Sequence, residues 1–174
     1  MSQTGDAPAP LLAVPDAPPE AEPSTDALAE AAAEIAQIAV DAPRVAIVVA
    51  EREDLLILER AETELQNRGV SSEVRVISAE EEPGAVVEYT ESAQLRGIRV
   101  IIAGAGPQAC LPSMVTAHTE LPVIGVPLTS RGATESGLNV LFAERLAPGG
   151  EPVAWVQLDD AVNAARLAER ILKA

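Results

Sequence analysis

Three short runs hold the residue types that can do chemistry. The first is Ala50-Glu51-Arg52-Glu53-Asp54 and the second is Ser78-Ala79-Glu80-Glu81-Glu82-Pro83. The third is Gly104-Ala105-Gly106, followed by Cys110, Leu111 and Pro112. A carboxyl group transfers protons near neutral pH when burial and like-charged neighbours raise its pKa. Glu81 and Glu82 press Glu80 in that direction, with Ser78 at the start of the same run. Grouped carboxylates also suit a hard divalent cation. A glycine-flanked loop leaves backbone N–H groups open to an anion. Cys110 reads either as a small buried apolar filler or as a thiol whose pKa a helix N-terminus lowers. It is the only cysteine and His118 the only histidine, so neither a disulfide nor a zinc site is expected. His118 reads as a surface residue late in a helix. No cofactor is implied by these residues.

The elements that must position these runs alternate regularly. RVAIVVA (44–50) is an uninterrupted apolar run, as in a strand buried on both faces. Residues 54–69 place Leu55, Leu58, Ala61 and Leu65 on one helical face, with Gly69 as C-cap. SEVRVIS (72–78) is a second strand. Residues 83–97 read as a helix whose apolar positions are Val86, Val87, Ala93 and Leu95. RVIIAGAG (99–106) is a strand running into a glycine loop, and 108–118 a helix. PVIGVP (122–127) and PVAWVQL (152–158) are further strands, and Asp159 or Asp160 caps a last helix to Ala174. Strand–helix alternation with short connections predicts an α/β fold: an open parallel sheet covered on both faces. Ligands bind beyond the carboxyl ends of such strands, so loops 50–54, 78–83, 104–112 and 127–137 are the ones that matter.

Composition narrows the function further. The 174 residues carry a net charge of −15, which excludes the basic surface a nucleic acid or an anionic membrane would need. Aromatic residues are 2% of the chain (Tyr89, Phe142, Trp155), too few for base-stacking platforms. No stretch is long and apolar enough to span a membrane. No signal peptide is visible, so a cytoplasmic protein is expected. Residues 1–43 hold eight acids, no base and seven of the fourteen prolines. Residues 1–23 read as a disordered acidic tail. Residues 24–43 read as a helix with a weak stripe of Leu28, Ala31, Ala32, Ile35 and Ile38. That helix packs on its own domain or a neighbouring subunit, or docks a protein partner through 1–43. Residues 44–174 form the folded domain.

Within that domain, RVIIAGAGPQACLPSMVTAHTELPVIGVP (99–127) resembles the core of the PurE family, the aminoimidazole ribonucleotide carboxylases and carboxyaminoimidazole ribonucleotide mutases. The resemblance continues through RVAIVVAERED (44–54), VRVISAEEEP (74–83), SGLNVLF (136–142) and EPVAWVQLDDAVNAARLAERIL (151–172). It implies a flavodoxin-like three-layer αβα sandwich, assembled as an octamer with active sites between subunits. A related branch carboxylates a pyridine nucleotide on the way to the nickel-pincer nucleotide, and Gly132–Leu138 suits either branch. Site residues implied by the resemblance are Glu80, Cys110 and Ser78 for catalysis. For substrate binding they are Glu51, Glu53, Asp54, Glu81, Gly104, Ala105, Gly106, Leu111 and Pro112.

The departures from the family pattern fall on those loops. Family members usually read Gly-Ser-x-Ser-Asp where this chain has Ala50-Glu51-Arg52-Glu53-Asp54. They read Ser-Ala-His-Arg-x-Pro where it has Ser78 to Pro83. The proton-shuttling His is therefore Glu80 here, and a phosphate-binding Arg is Glu81. A His of the third loop is Cys110, and Pro107 removes one N–H donor. In the implied strand order the acids of the first two loops share one crevice, opposed by Arg52 alone. At an effective dielectric near 20, two charges about 4 Å apart interact by about 4 kcal/mol, so a phosphate dianion is poorly received. The acids are a solvated face, or a site for a cationic or neutral ligand, or a metal site. Two functions remain in view. One is a divergent carboxylase, decarboxylase or mutase acting on a small nitrogen heterocycle other than the standard purine intermediate. The other is an inactive oligomeric scaffold or regulatory partner.

Overall fold

A computed structural model describes residues 29–30, 32, 42–106, 110–129 and 152–174. The chain divides into two units, 1–35 and 36–174. In the first unit the described residues Ala29, Glu30 and Ala32 are helical and exposed. The expected tail, 1–23, lies outside the described residues. Ala42 and Pro43 are not helical, and most of the helix expected over 24–43 lies outside the described residues.

The second unit is built on five parallel strands in the order β2-β1-β3-β4-β5. They are β1 (Val45–Val49), β2 (Ser72–Val76), β3 (Val100–Ala105), β4 (Val123–Pro127) and β5 (Val153–Trp155). The helices are α1 (Leu55–Asn67), α2 (Pro83–Ala93), α3 (Cys110–Thr116) and α4 (Ala161–Lys173). Val45 pairs with Ser72 on one side and Val100 on the other, so β1 is an interior strand. All five of its residues are fully buried, which is why its sequence is apolar without alternation.

Side chains alternate across the sheet into two cores, which makes three layers. Val45, Ile47 and Val49 pack with Leu58, Ala61 and Leu65 of α1 and with Ala161, Ala164, Ala165 and Ala168 of α4. Ala46 and Val48 pack with Val86, Tyr89 and Ala93 of α2 and with Leu111 and Val115 of α3. This is the flavodoxin-like α/β sandwich that the sequence predicts. Alanines let α4 approach closely, and beyond them Glu64, Arg68, Arg166, Glu169 and Lys173 form an ion-pair network between α1 and α4.

Two packing details differ from the sequence reading. Leu95 is 92% exposed, and Tyr89 takes the expected inward place. Leu95 lies two residues beyond buried Ala93, on the side of the helix opposite Val86, Tyr89 and Ala93, and the chain tightens into a 3₁₀ turn at Gln94–Arg96. Gly97 then reverses the chain at φ 97°. Glycine is also required at Gly125, where a Cβ would lie 2.5 Å from the ring of Trp155.

Candidate active site at the carboxyl ends of the strands

Three described loops leave the carboxyl ends of adjacent strands and therefore share one edge of the sheet. The loop after β1 turns at once into the 3₁₀ helix Arg52–Asp54, closed by Asp54 N–H donating to Glu51 O at 3.2 Å. Arg52 and Glu53 are exposed, Glu51 is half-buried, and Asp54 is only 4% exposed. The buried carboxylate of Asp54 faces the third loop. A Cβ placed on Gly106 would lie 3.9 Å from Asp54 Oδ2.

In the loop after β2, Ser78 is half-buried and shapes the turn. Its carbonyl accepts from Glu82 N–H at 3.0 Å and its Oγ from Glu81 N–H at 3.3 Å. Pro83 stands at the first turn of α2, where a missing N–H costs nothing. That geometry leaves Glu80, Glu81 and Glu82 exposed. Exposure lowers each repulsion toward the roughly 1 kcal/mol that two charges 4 Å apart feel in water. The repulsion that a phosphate would meet from these acids is therefore less steep than the sequence alone suggests.

The third loop begins at Gly106, two residues later than the loop expected from 104. Gly104 and Ala105 lie inside β3, in register with Val126 and Pro127. A Cβ on Gly104 would sit 2.8 Å from Leu128 Cδ1 and 3.3 Å from Val49 Cγ1. Gly104 thus answers to packing, and Gly106 is the first described loop residue. Residues 107–109 lie outside the described residues. Leu111 (2% exposed) and Pro112 are buried, so their side chains hold α3 on the sheet.

Cys110 corrects the sequence reading twice. It is exposed rather than a buried filler. Its thiol pKa is raised, first by partial burial and then by the charge of Glu80. A raised pKa keeps the thiol protonated at neutral pH, the opposite of activation by a helix N-terminus. The same electrostatic effect shows that the second and third loops approach each other. Ala79 and Met114 both rest on the core that contains Leu111 and Val115. Of the expected catalytic residues, Glu80 and Cys110 lie within electrostatic reach of each other. Among the described residues no group of three His, Cys, Asp or Glu is placed to hold a metal.

Asp159 is a residue that the sequence reading missed at this edge. It takes φ 55°, and its carboxylate accepts from Thr129 N–H at 2.9 Å and Thr129 Oγ at 2.5 Å. Its own N–H donates to Pro127 O at 2.8 Å. These bonds fix where the chain leaves β4. The capping role falls to Asp160, which accepts from Asn163 N–H at 3.1 Å. The available signal was the Asp-Asp pair, since Asp tolerates the left-handed region better than most residues. The rest of the fourth loop, including Gly132–Leu138, lies outside the described residues.

Comparison with known proteins bears on the same residues. A family profile described as AIR carboxylase matches residues 44–174. The N5-carboxyaminoimidazole ribonucleotide mutase of Thermotoga maritima is 45% identical over 130 residues, 75% of this chain and 75% of that protein. The phosphoribosylaminoimidazole carboxylase of Saccharomyces cerevisiae is 43% identical over 132 residues, 76% of this chain and 23% of that longer protein. Among solved structures, PurE of Treponema denticola superposes with a TM-score of 0.61 at 24% identity. A variant of its PurE2 gives 0.64 at 23%. Each alignment covers 75% of this chain and 80% of the other, and speaks for the fold.

Proposed function

We propose a carboxyl-transferring activity for this protein, which belongs to the AIR carboxylase family. The substrate we propose is a small nitrogen heterocycle other than the phosphorylated purine intermediate named in its relatives. The observation that supports this reading is that the charge of Glu80 is felt at Cys110, on the neighbouring loop, among exposed acids. At these positions the resemblance implies two histidines, with an arginine in place of Glu81.

The chemistry follows from the two groups. Carboxylation of a ring carbon forms a C–C bond, and that carbon must then release its proton. Glu80 is the carboxylate positioned to take it, and in the reverse direction it returns the proton as the C–C bond breaks. Cys110 stays protonated and can donate a hydrogen bond through its thiol. Asp54, buried beside Gly106, fixes the floor of the crevice. The protein is expected to work as a homo-oligomer in the cytoplasm, as the resemblance implies. Among the described residues no helix is long and apolar enough to cross a membrane.

The test is whether the chain supports growth of a purine auxotroph lacking its own carboxylase or mutase. We expect no growth, and no saturable binding of aminoimidazole ribonucleotide by calorimetry. Growth, or that monophosphate seated among the acids without a bridging cation, would overturn the substrate assignment. A chain that converts no carboxylated heterocycle in a substrate panel is instead the inactive scaffold.

A further inference from the structure

The resemblance names Ser78 for catalysis, yet the bonds of Ser78 run to its own loop. Its Oγ accepts from Glu81 N–H at 3.3 Å and its carbonyl from Glu82 N–H at 3.0 Å. A serine that accepts in this way from the residues just ahead of it closes a turn of the chain. The turn is tied at both ends. Before it, Ile77 N–H donates to Val49 O at 2.8 Å, which carries the sheet one residue past β2. After it, Glu82 O accepts from Ala85 N–H at 3.0 Å and Val86 N–H at 3.3 Å, which opens α2.

Between these ties stand Ala79, Glu80 and Glu81. Ala79 packs on the core that holds Leu111 and Val115 of α3. Glu81 is held through its N–H by the Ser78 hydroxyl. Glu80 lies between the two, so its place depends on both neighbours. We propose that Ser78 is a positioning residue, whose hydroxyl fixes the turn that keeps the Glu80 carboxylate on the α3 side of the crevice. The proposal rests on the carboxyl-transfer reading, in which Glu80 moves the proton. Ser78 thus acts through Glu80 rather than on the substrate.

Cys110 reports the outcome without any substrate. It is the only cysteine of the chain. Partial burial and then the charge of Glu80 raise its thiol pKa. Repulsion between the carboxylate and a thiolate falls inversely with their separation. A turn that lets Glu80 wander therefore lets the thiol ionise at lower pH.

The test is the midpoint of iodoacetamide alkylation against pH, measured on the full chain and its variants. Ser78→Ala should move the midpoint down, by about half the shift of Glu80→Gln, the loss that a doubled separation gives. Ser78→Thr keeps a hydroxyl and should keep the midpoint. Ser78→Val matches threonine in shape without the hydroxyl, and should shift the midpoint as Ser78→Ala does. The carbonyl bond to Glu82 N–H needs no hydroxyl, so these variants keep the outline of the turn and fold. In the Glu80→Gln background, Ser78→Ala should move nothing further, because no charge is left to displace. An unmoved midpoint in Ser78→Ala and Ser78→Val overturns the proposal. So does a shift in Ser78→Thr as large as in Ser78→Val. So does a shift by Ser78→Ala that persists in the Glu80→Gln background, which would mean that the serine acts on α3 directly. Turnover is not read, so failure here strikes the role of Ser78 and leaves the proposed reaction to its own test.

Discussion

β1 and the loop that begins where it ends carry opposite kinds of residue. Val45 to Val49 are all fully buried, pressed between two strands and two helical layers. Two residues further on, Glu51 is half-buried and Arg52 and Glu53 are exposed. In the strand each side chain is fixed by neighbours on every side, so a change of one methylene is felt. In the loop only Asp54 is enclosed. Residues whose side chains face water can be exchanged with little effect on folding. A chain can therefore keep a family's sheet while its loops take on acids where the resemblance implies other groups.

That contrast can be broken by experiment. The widest gap is expected between Ile47→Ala and Glu80→Gln. Removing the fully buried Ile47 side chain should cost about 2–5 kcal/mol, read from urea unfolding. Glu80→Gln should leave stability within about 0.5 kcal/mol yet slow turnover of any identified substrate by about 10²–10⁴-fold. Equal stability losses would mean that the loop is part of the fold after all.

Gly104→Ala sharpens the boundary between strand and loop. Its new Cβ would press on Leu128 and Val49, and about 1–3 kcal/mol of stability should be lost. The same change at Gly106, with only Asp54 Oδ2 nearby at 3.9 Å, should cost less.

Smaller still is the shift expected at Cys110. The negative charge of Glu80 disfavours the thiolate. Glu80→Gln should therefore let the thiol ionise at lower pH, and the midpoint of iodoacetamide alkylation against pH should move down. An unchanged midpoint would separate the two loops.

The least effect is expected at the α1–α4 network. Hydrogen bonds from Arg166 and Arg68 lower the pKa of Glu64, and those from Lys173 and Arg68 lower that of Glu169. Depressed carboxylate pKa values give stability that is present above the unfolded value near 4.5 and lost as pH falls through the folded one. Glu64 is half-buried and Glu169 only 7% exposed, but each pairs with partly exposed cations, so the loss should be modest and should shrink with added salt. Denaturation midpoints at pH 7 and pH 3, with and without salt, check it.

Much of this molecule was legible in the sequence because burial leaves a local mark. The unbroken apolar run of β1, the stripe Leu58, Ala61, Leu65 and the strand–helix alternation each follow from neighbours a few residues apart. The acids of the first two loops could be read, and so could their departure from the family pattern. What the sequence could not decide was which of them are enclosed. Asp54 is buried and Glu53 is not, because one faces Gly106 across a strand boundary some fifty positions away. Leu95 is apolar yet exposed, because Val86, Tyr89 and Ala93 fill the inner face of its helix. Cys110 could be a filler or an activated thiol, and its charge state depends on Glu80, thirty residues earlier. Asp159 reads as one of two equivalent caps until Thr129 is seen within its reach. Periodicity and composition report what each segment must bury. Exposure, pairing and ionisation depend on contacts between segments, and those exist only once the sheet has brought its loops together.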